Sequence, residues 1–226
     1  MKDSKFILAA DELTLAQCLK LAPKIGDRVY AIKIHNLYDK EGWAAIESLK
    51  RAAPWLVWVD AKLHDIPNTA KLRAQALRDA GADIISAHVS GEVEMMMAAK
   101  ESGALIYAVT ALTSLSEEQV HLLHGHPSKA AVLYLARLAK LAGMDGIVCS
   151  PKEVSIVANR LELKGMEIVT PGVRSVGKDT HDQQRFDTPT ATIKAGASRL
   201  VIGRQLTLAE DPVAALDELE KEISTI

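Results

Sequence analysis

Three charged residues follow a strongly apolar segment, Trp55-Leu-Val-Trp-Val59. These are Asp60, Lys62 and Asp65. In an extended strand, side chains two positions apart share a face, so Asp60 and Lys62 should point the same way and Asp65 should lie just past the strand's end. Such a cluster of charged groups at the end of a buried strand could be catalytic. The same pattern also fits a structural ion pair, because charges at the end of a buried strand need partners.

Two short segments near the end of the chain could bind an anion. Pro171-Gly-Val-Arg174 and Gly203-Arg204 each follow an apolar run and combine a glycine with an arginine. Glycine lets the backbone approach a ligand closely, and a guanidinium group can hold two phosphate oxygens. We therefore expect a phosphorylated small molecule, although both arginines could instead pair with acidic residues on the rim. The polar segment after Arg174, 175–187, is long enough to fold over a ligand as a lid.

A repeated strand and helix pattern predicts the scaffold that positions these groups. Short β-rich runs alternate with helical patterns along the whole chain. The predicted strands are 6–10, 29–34, 56–59, 84–89, 105–112, 146–149, 168–170 and 200–202. Eight such units close a TIM (β/α)8 barrel, whose active site lies where the strands end. An open doubly wound sheet is the alternative, but no G-x-G-x-x-G follows the first strand.

Several turns and helices can also be predicted. Glycines in Ala-Gly-Ala-Asp (80–83), Ala-Gly-Met-Asp (142–145) and Ala-Gly-Ala-Ser (195–198) are typical of helix ends before a strand. Single helices are expected over 40–52 and 129–142, and Ser150-Pro-Lys-Glu153 reads as a capping box. The segment between the fifth strand and 129 is expected to be a long loop, in which His121, His124 and His126 form a solvated surface rather than a metal site.

The predicted strand ends carry further polar residues that could converge on one mouth. They are Asp11, Lys33, His35, His88, Thr113 and Ser114. The barrel rule makes each of them a candidate for the site.

Composition limits the classes of function. The chain has 226 residues and a formal net charge of -2, which suits one domain over 1–226 with no bulk attraction to nucleic acid or membranes. Cys18 and Cys149 are too few for a disulfide framework or a zinc site. The longest uncharged stretch, 103–116, is shorter than the roughly 20 residues that span a bilayer. We expect a cytoplasmic protein.

The string Asp60-Ala-Lys-Leu-His-Asp-Ile-Pro-Asn-Thr69 closely resembles the signature of the orotidine 5'-monophosphate decarboxylase family. The resemblance covers essentially the whole chain, in order. Further matches are Asp11, Lys33, Leu112-Thr-Ser114, Thr170-Pro-Gly-Val-Arg174, Asp182-Gln183 and Val201-Ile-Gly-Arg204. It implies decarboxylation of orotidine 5'-monophosphate to UMP, the last step of pyrimidine nucleotide synthesis, without a metal or an organic cofactor.

The resemblance also implies a role for each matching residue. Asp60, Lys62 and Asp65 would form the catalytic cluster, with Lys62 as the proton donor and Lys33 joining the network. Family members are dimers, in which Asp65 and Thr69 would reach the neighbouring subunit's site. The substrate-binding residues would be Asp11 and Lys33 for the ribose, Thr113 for the pyrimidine, Gln183, Gly203 and Arg204 for the phosphate, and Pro171 and Arg174 beside the lid.

The chain departs from the family pattern after Lys33, where it continues Ile34-His-Asn-Leu-Tyr-Asp39. His35 could extend the charged network or be an ordinary rim histidine. One rival is the related keto-gulonate phosphate decarboxylase group, which uses magnesium and typically has an acidic residue where Lys33 stands. Another is a catalytically silent phosphate-binding barrel, which would be expected to have lost part of the charged cluster.

Overall fold

The protein is described by a computed structural model that covers residues 3–175 and 186–224. Eight parallel strands close a barrel in the order of the chain, which confirms the predicted TIM (β/α)8 fold. The strands are β1 Phe6–Ala9, β2 Ala31–Ile34, β3 Leu56–Leu63, β4 Ile84–His88, β5 Leu105–Val109, β6 Gly146–Val148, β7 Glu167–Thr170 and β8 Arg199–Ile202.

Helices surround the barrel and follow the strands. They are α1 Leu15–Ile25, α2 Asn36–Glu41, α3 Trp43–Ala52, α4 Pro67–Asp79, α5 Glu92–Lys100, α6 Glu117–His124, α7 Ser128–Leu141, α8 Pro151–Ala158, α9 Pro189–Lys194, α10 Arg204–Thr207 and α11 Pro212–Ser224. The large apolar core lies between these helices and the outer faces of the strands, while a smaller cluster that includes Ile7, Trp58 and Tyr107 fills the barrel's interior.

Alternation along the strands brings the first polar groups to the mouth. Ala9, Ala31 and Trp58 belong to the interior cluster. Asp11, Lys33 and Asp60 each stand two positions further on. Because side chains two positions apart share a face, Asp11, Lys33 and Asp60 should point to the same side as these interior residues. They lie closer to the carboxyl ends of the strands.

β3 is longer than predicted and is not a regular strand at its end. It was expected to stop at Val59, but it continues to Leu63 through the charged residues. Val59 pairs with Ile85 and Leu63 with Ala87, so four residues of β3 advance against two of β4. Lys62 lies within this irregularity with φ 43°, a conformation uncommon for a residue other than glycine.

The helix-to-strand turns follow the predicted glycine pattern. Gly81, Gly143 and Gly196 all have positive φ, as a left-handed helix end requires. The residue two positions after each glycine directly precedes a strand. Its side chain accepts a hydrogen bond from a backbone N–H of the preceding strand. These bonds are Val57 N to Asp83 Oδ2 (3.0 Å), Ile106 N to Asp145 Oδ2 (2.7 Å) and Ile168 N to Ser198 Oγ (3.0 Å). The repeated turn therefore closes the barrel at the end opposite the candidate site.

Two helix predictions were wrong. The single helix expected over 40–52 is divided into α2 and α3 by Gly42, whose φ of 59° and ψ of -141° interrupt the helical path. The loop expected to carry His121 and His124 instead forms α6. Ser116 and Gln119 make a complete capping box at its start, and Gly125 ends it in the left-handed region.

Candidate active site

A cavity of about 360 Å³, lined by both charged and apolar residues, opens at the ends of the strands. Its volume falls in the range of roughly 300–1,000 Å³ that is typical of small-molecule sites. The predicted residues that line it are Asp11, Lys33, Asp60, Lys62, Thr113, Pro171, Arg174, Gly203 and Arg204. The structure thus brings together residues from the first strand loop to the last, as the barrel rule predicts.

A chain of alternating charges occupies one side of the cavity. Lys33 Nζ lies 2.8 and 3.0 Å from the two carboxylate oxygens of Asp11 and 3.3 Å from Asp60 Oδ2. Lys62 Nζ donates to the same Asp60 Oδ2 at 2.7 Å. Lys33 and Asp60 are nearly inaccessible to solvent, whereas the Lys62 side chain retains 33% of its exposure. Lys62 is therefore the ammonium group most accessible to a molecule in the cavity.

Ser86 completes the surroundings of Asp60. Its hydroxyl donates to Asp60 Oδ1 at 2.6 Å and accepts a hydrogen bond from the backbone N–H of Lys62 at 3.0 Å. One carboxylate oxygen is thus held by a hydroxyl and the other by two ammonium groups. Three charge-assisted hydrogen bonds or ion pairs leave Asp60 little freedom to rotate.

The network determines the protonation of its buried members. Burial alone would raise the pKa of Asp60, but the charges of Lys33 and Lys62, with hydrogen bonds from Lys62 and Ser86, lower that pKa below its usual range. Burial alone would lower the pKa of Lys33, but Asp60 and Asp11 outweigh it and raise the pKa. Asp60 is consequently an anion and Lys33 a cation at neutral pH.

The two glycine-arginine segments line the same cavity. Gly172 has φ 75°, which only glycine adopts without strain, and it allows the backbone after β7 to turn into the cavity. Arg174 is buried, and its Nη1 donates to the carbonyl of Val173 at 2.6 Å. Arg204 is half-buried at the first position of α10, directly after Gly203. Gln183 and most of the predicted lid lie outside the described residues.

Asp65 and Thr69 do not line this cavity. Asp65 is exposed beyond the end of β3, where its Oδ1 accepts a hydrogen bond from the N–H of Ile66 at 2.8 Å. Thr69 is half-buried in the first turn of α4. Two members of the predicted site are therefore outside their own subunit's cavity.

The other strand-end candidates also remain outside the cavity. His35 is exposed at the start of α2, and Ser114 is exposed in the loop after β5. His88 is half-buried, with its ring 5.6 Å from that of His64. Burial, together with the nearby charges of His64 and Lys62, lowers the pKa of His88 despite an opposing effect of Asp60.

Ser86 and Trp58 are among the residues at the site that no sequence pattern had singled out. Ser86 was placed on β4 without a role, although it shares the strand face of His88. Trp58 lines the cavity two positions before Asp60, and its ring packs edge-on against Tyr107 with centroids 5.3 Å apart. Strand parity relative to Asp60 and His88 was the signal that could have identified both.

Within residues 3–175 and 186–224, no helix combines the length and apolarity needed to cross a bilayer. Within the same ranges, no three His, Cys, Asp or Glu side chains form a group able to hold a metal ion.

Comparison with known proteins identifies the family. Orotidine 5'-phosphate decarboxylase of Halorhodospira halophila (strain DSM 244 / SL1) is 38% identical over 230 aligned positions, which cover 97% of this chain and 96% of the relative. The enzyme of the same name from Geobacillus sp. (strain WCH70) is 42% identical over 199 positions, covering 83% and 82%. A crystal structure of orotidine 5'-phosphate decarboxylase from Lactobacillus acidophilus superposes with a TM-score of 0.81 at 32% identity, covering 98% of this chain and 99% of that one.

The sequence profile of one family spans nearly the whole chain, from residue 4 to residue 219. It therefore confirms the resemblance carried by the segment from Asp60 to Thr69, and the chain belongs to the orotidine 5'-phosphate decarboxylase / HUMPS family.

Proposed function

We propose that this protein removes carbon dioxide from orotidine 5'-monophosphate to form UMP in pyrimidine synthesis, that Lys62 donates a proton to C6, and that no metal or organic cofactor takes part. The observation that carries the proposal is the position of the Lys62 ammonium, 2.7 Å from Asp60 Oδ2 at the edge of a cavity that two arginine segments also line. The identity of the substrate is inferred from the names of the relatives.

The chemistry requires a cation at this point. When the C6–carboxylate bond breaks, its electron pair stays in an sp² orbital of C6, which the ring's π system does not delocalise. The anion must therefore be stabilised by nearby charge. A proton moves from Lys62 Nζ to C6, forming the C6–H bond of UMP, and the neutral amine then recovers a proton from water.

Asp60 and Lys33 prepare Lys62 for this step. Asp60 Oδ2 accepts from Lys62 and also lies 3.3 Å from Lys33 Nζ, so it holds the donor in place. Asp60 and Asp11 carry two negative charges, and Lys62 can balance only one of them. Lys33 lies beside both carboxylates and balances the other. Preorganised groups of this kind lower the barrier because they need no rearrangement when the negative charge develops.

The rest of the cavity is suited to a nucleotide. Asp11 and Lys33 would bind the ribose hydroxyls, and Thr113 would contact the pyrimidine. Gly203 and Arg204, with Gln183 from beyond the described residues and Pro171 and Arg174 beside the lid, would hold the phosphate. A guanidinium group with an adjacent open backbone supports this assignment, because the pair can give a phosphate several hydrogen bonds.

A direct assay tests the proposal against both rivals. The purified protein would be given orotidine 5'-monophosphate, and the loss of absorbance of the orotate ring would be followed with and without a chelator. We expect equal turnover in both. Turnover that stops with the chelator and returns with magnesium would favour the metal-dependent rival, and bound UMP without any turnover would favour a silent barrel.

We also propose that the protein acts as a homodimer, in which Asp65 and Thr69 complete the neighbouring site. Both residues lie outside their own cavity, and the surface around them carries large exposed apolar side chains. Those side chains are Ile66 (67% exposed), Leu72 (62%) and Met97 (53%). Burying such apolar side chains against a second subunit would be favourable.

Mixing two inactive variants tests the shared site. In a heterodimer of Lys62→Ala and Asp65→Ala, one of the two sites has both residues intact, so the mixture should regain about a quarter of wild-type activity. Dimers that form without any gain in activity would show that Asp65 does not reach the neighbouring site. The cytoplasmic location and the single domain over 1–226 stay predictions.

A further inference from the structure

Ser86 is a polar residue inside the barrel. It occupies the third position of β4 and is fully buried. On the same strand, Ile84 belongs to the apolar interior cluster, and Ser86 shares its face. A buried hydroxyl is costly unless it is hydrogen-bonded, so its partners indicate why it is there.

Its first partner is the Asp60 carboxylate. Ser86 Oγ donates to Oδ1 at 2.6 Å, while Oδ2 faces Lys62 at 2.7 Å and Lys33 at 3.3 Å. If Oδ1 were released, the carboxylate could turn about its terminal torsion, which has a broad, roughly two-fold preference. The hydroxyl therefore keeps a single oxygen directed at both lysines.

Its second partner is the backbone of Lys62. The ladder between β3 and β4 is irregular from Val59 to Leu63, and the Lys62 N–H donates to Ser86 Oγ at 3.0 Å. This contact lies at the residue with φ 43°. A conformation of this kind persists only when its surroundings hold it. The same oxygen thus fixes both ends of the Asp60 and Lys62 pair.

We propose that Ser86 is a positioning residue for the decarboxylation: by donating to Asp60 and accepting from the Lys62 backbone, it sets where the Lys62 ammonium stands in the cavity. The inference rests on the proposed function for its kinetic consequences. Ser86 does not line the cavity and is not expected to touch the substrate.

Ser86→Ala removes both hydrogen bonds with almost no change in volume. Hydrogen bonds to charged groups are worth enough that kcat should fall by about 10- to 100-fold. KM should change by less than about threefold, because the phosphate and ribose contacts are untouched. Exchange of the Lys62 amide hydrogen, followed by NMR, should become at least about tenfold faster.

Ser102→Ala is the matched control. Ser102 is also a buried serine whose hydroxyl both donates, to Ala99 O at 2.8 Å, and accepts, from Ala104 N at 3.3 Å. It lies before β5, at the opposite end of the barrel. We expect a similar loss of thermal stability but wild-type kcat and unchanged exchange at Lys62. Ser86→Thr keeps the hydroxyl and should give a kcat closer to wild type than Ser86→Ala.

Three results would overturn the inference: wild-type kcat in Ser86→Ala, an equal loss of kcat in Ser86→Ala and Ser102→Ala, or unchanged amide exchange at Lys62 in Ser86→Ala. The exchange measurement needs no turnover. If the wild-type protein failed to decarboxylate orotidine 5'-monophosphate, it would still show whether Ser86 holds the Lys62 backbone.

Discussion

Lys62→Ala is the most direct test of the proposed chemistry, because it removes the ammonium group to which two roles are assigned. Lys62 Nζ is the ammonium that would stabilise the C6 anion and the group that would protonate it. The substitution leaves Asp60 with Lys33 at 3.3 Å and with Ser86 at 2.6 Å. The carboxylate therefore keeps partners, and the barrel should still fold.

The expected loss can be estimated from charge and distance. A unit charge about 4 Å from the developing anion contributes about 4 kcal/mol at an effective dielectric constant of about 20. That free energy corresponds to roughly a thousandfold in rate. Loss of a positioned proton donor costs a further factor of about 10² to 10⁴. Because one atom provides both effects they need not multiply in full, and we expect kcat to fall by at least about 10⁴-fold.

Lys50→Ala is a matched control for this measurement. Lys50 Nζ pairs with Asp83 at the same 2.7 Å distance, and its side chain is 40% exposed against 33% for Lys62. Asp83 lies at the opposite end of β4 from the cavity. Each substitution should cost about 1 kcal/mol or less in the free energy of unfolding, as expected for a partly exposed pair.

The measurements are kcat by absorbance, UMP affinity by calorimetry and unfolding by urea. We expect Lys62→Ala to bind UMP within about tenfold of wild type, because the phosphate contacts are elsewhere. A Lys62→Ala turnover number within tenfold of wild type would refute Lys62 as the proton donor. A comparable loss in Lys50→Ala would show that the effect comes from stability and not from chemistry.

Three other predictions concern different parts of the barrel. Arg204→Ala should raise KM by about 10- to 100-fold in steady-state assays, because a charge-assisted phosphate contact is lost, and unchanged kinetics would exclude that arginine. Glu167→Gln weakens the acceptor of Tyr107 Oη and of Arg199 Nη2 (3.0 Å) at the far end of the barrel, and calorimetry should show a melting temperature lower by about 2–4 °C, as expected for a loss of about 1 kcal/mol, with kcat unchanged. The pKa of Asp60 is lowered from 3.8, so its stabilisation is fully present above that value and is lost as pH falls toward the lowered pKa. The difference in urea stability between wild type and Asp60→Asn should thus be constant from pH 7 to about 4 and shrink below it, and a difference that disappears between pH 7 and 5 would contradict the ion pairing.

The sequence predicted the barrel because its signals repeat. Each apolar strand, each glycine such as Gly81 and each helix start such as Pro67 points to the same unit, so errors in single boundaries do not alter the closed fold. The errors arose where one residue decides the local path. Gly42 interrupts a helix that its neighbours favour, and the capping box from Ser116 to Gln119 starts a helix in a segment interpreted as a loop.

Most of the predicted site residues line one cavity, but the reason for expecting Asp60 and Lys62 to meet was incomplete. Asp60 and Lys62 were expected to meet because alternate residues of a straight strand share a face. They do meet, yet the strand is irregular there, and Lys62 has φ 43°. The contact that supports this conformation comes from Ser86, which is 24 positions away in sequence. Periodicity within one strand contains no information about such a contact, because it depends on the register between two strands.

The described cluster has no net charge, so in the proposed reaction the position of its cations must determine the rate. Asp11 and Asp60 carry two negative charges and Lys33 and Lys62 two positive ones, so the described cluster is neutral overall. The substrate carboxylate and the C6 anion that replaces it both carry one negative charge. A cation that stabilised both equally would improve binding without lowering the barrier. Lys62 can accelerate the reaction only if its ammonium lies closer to C6 than to the departing carboxylate. Asp60 Oδ2, 2.7 Å from the ammonium, holds it in that position, and the hydroxyl of Ser86 acts on it through Oδ1.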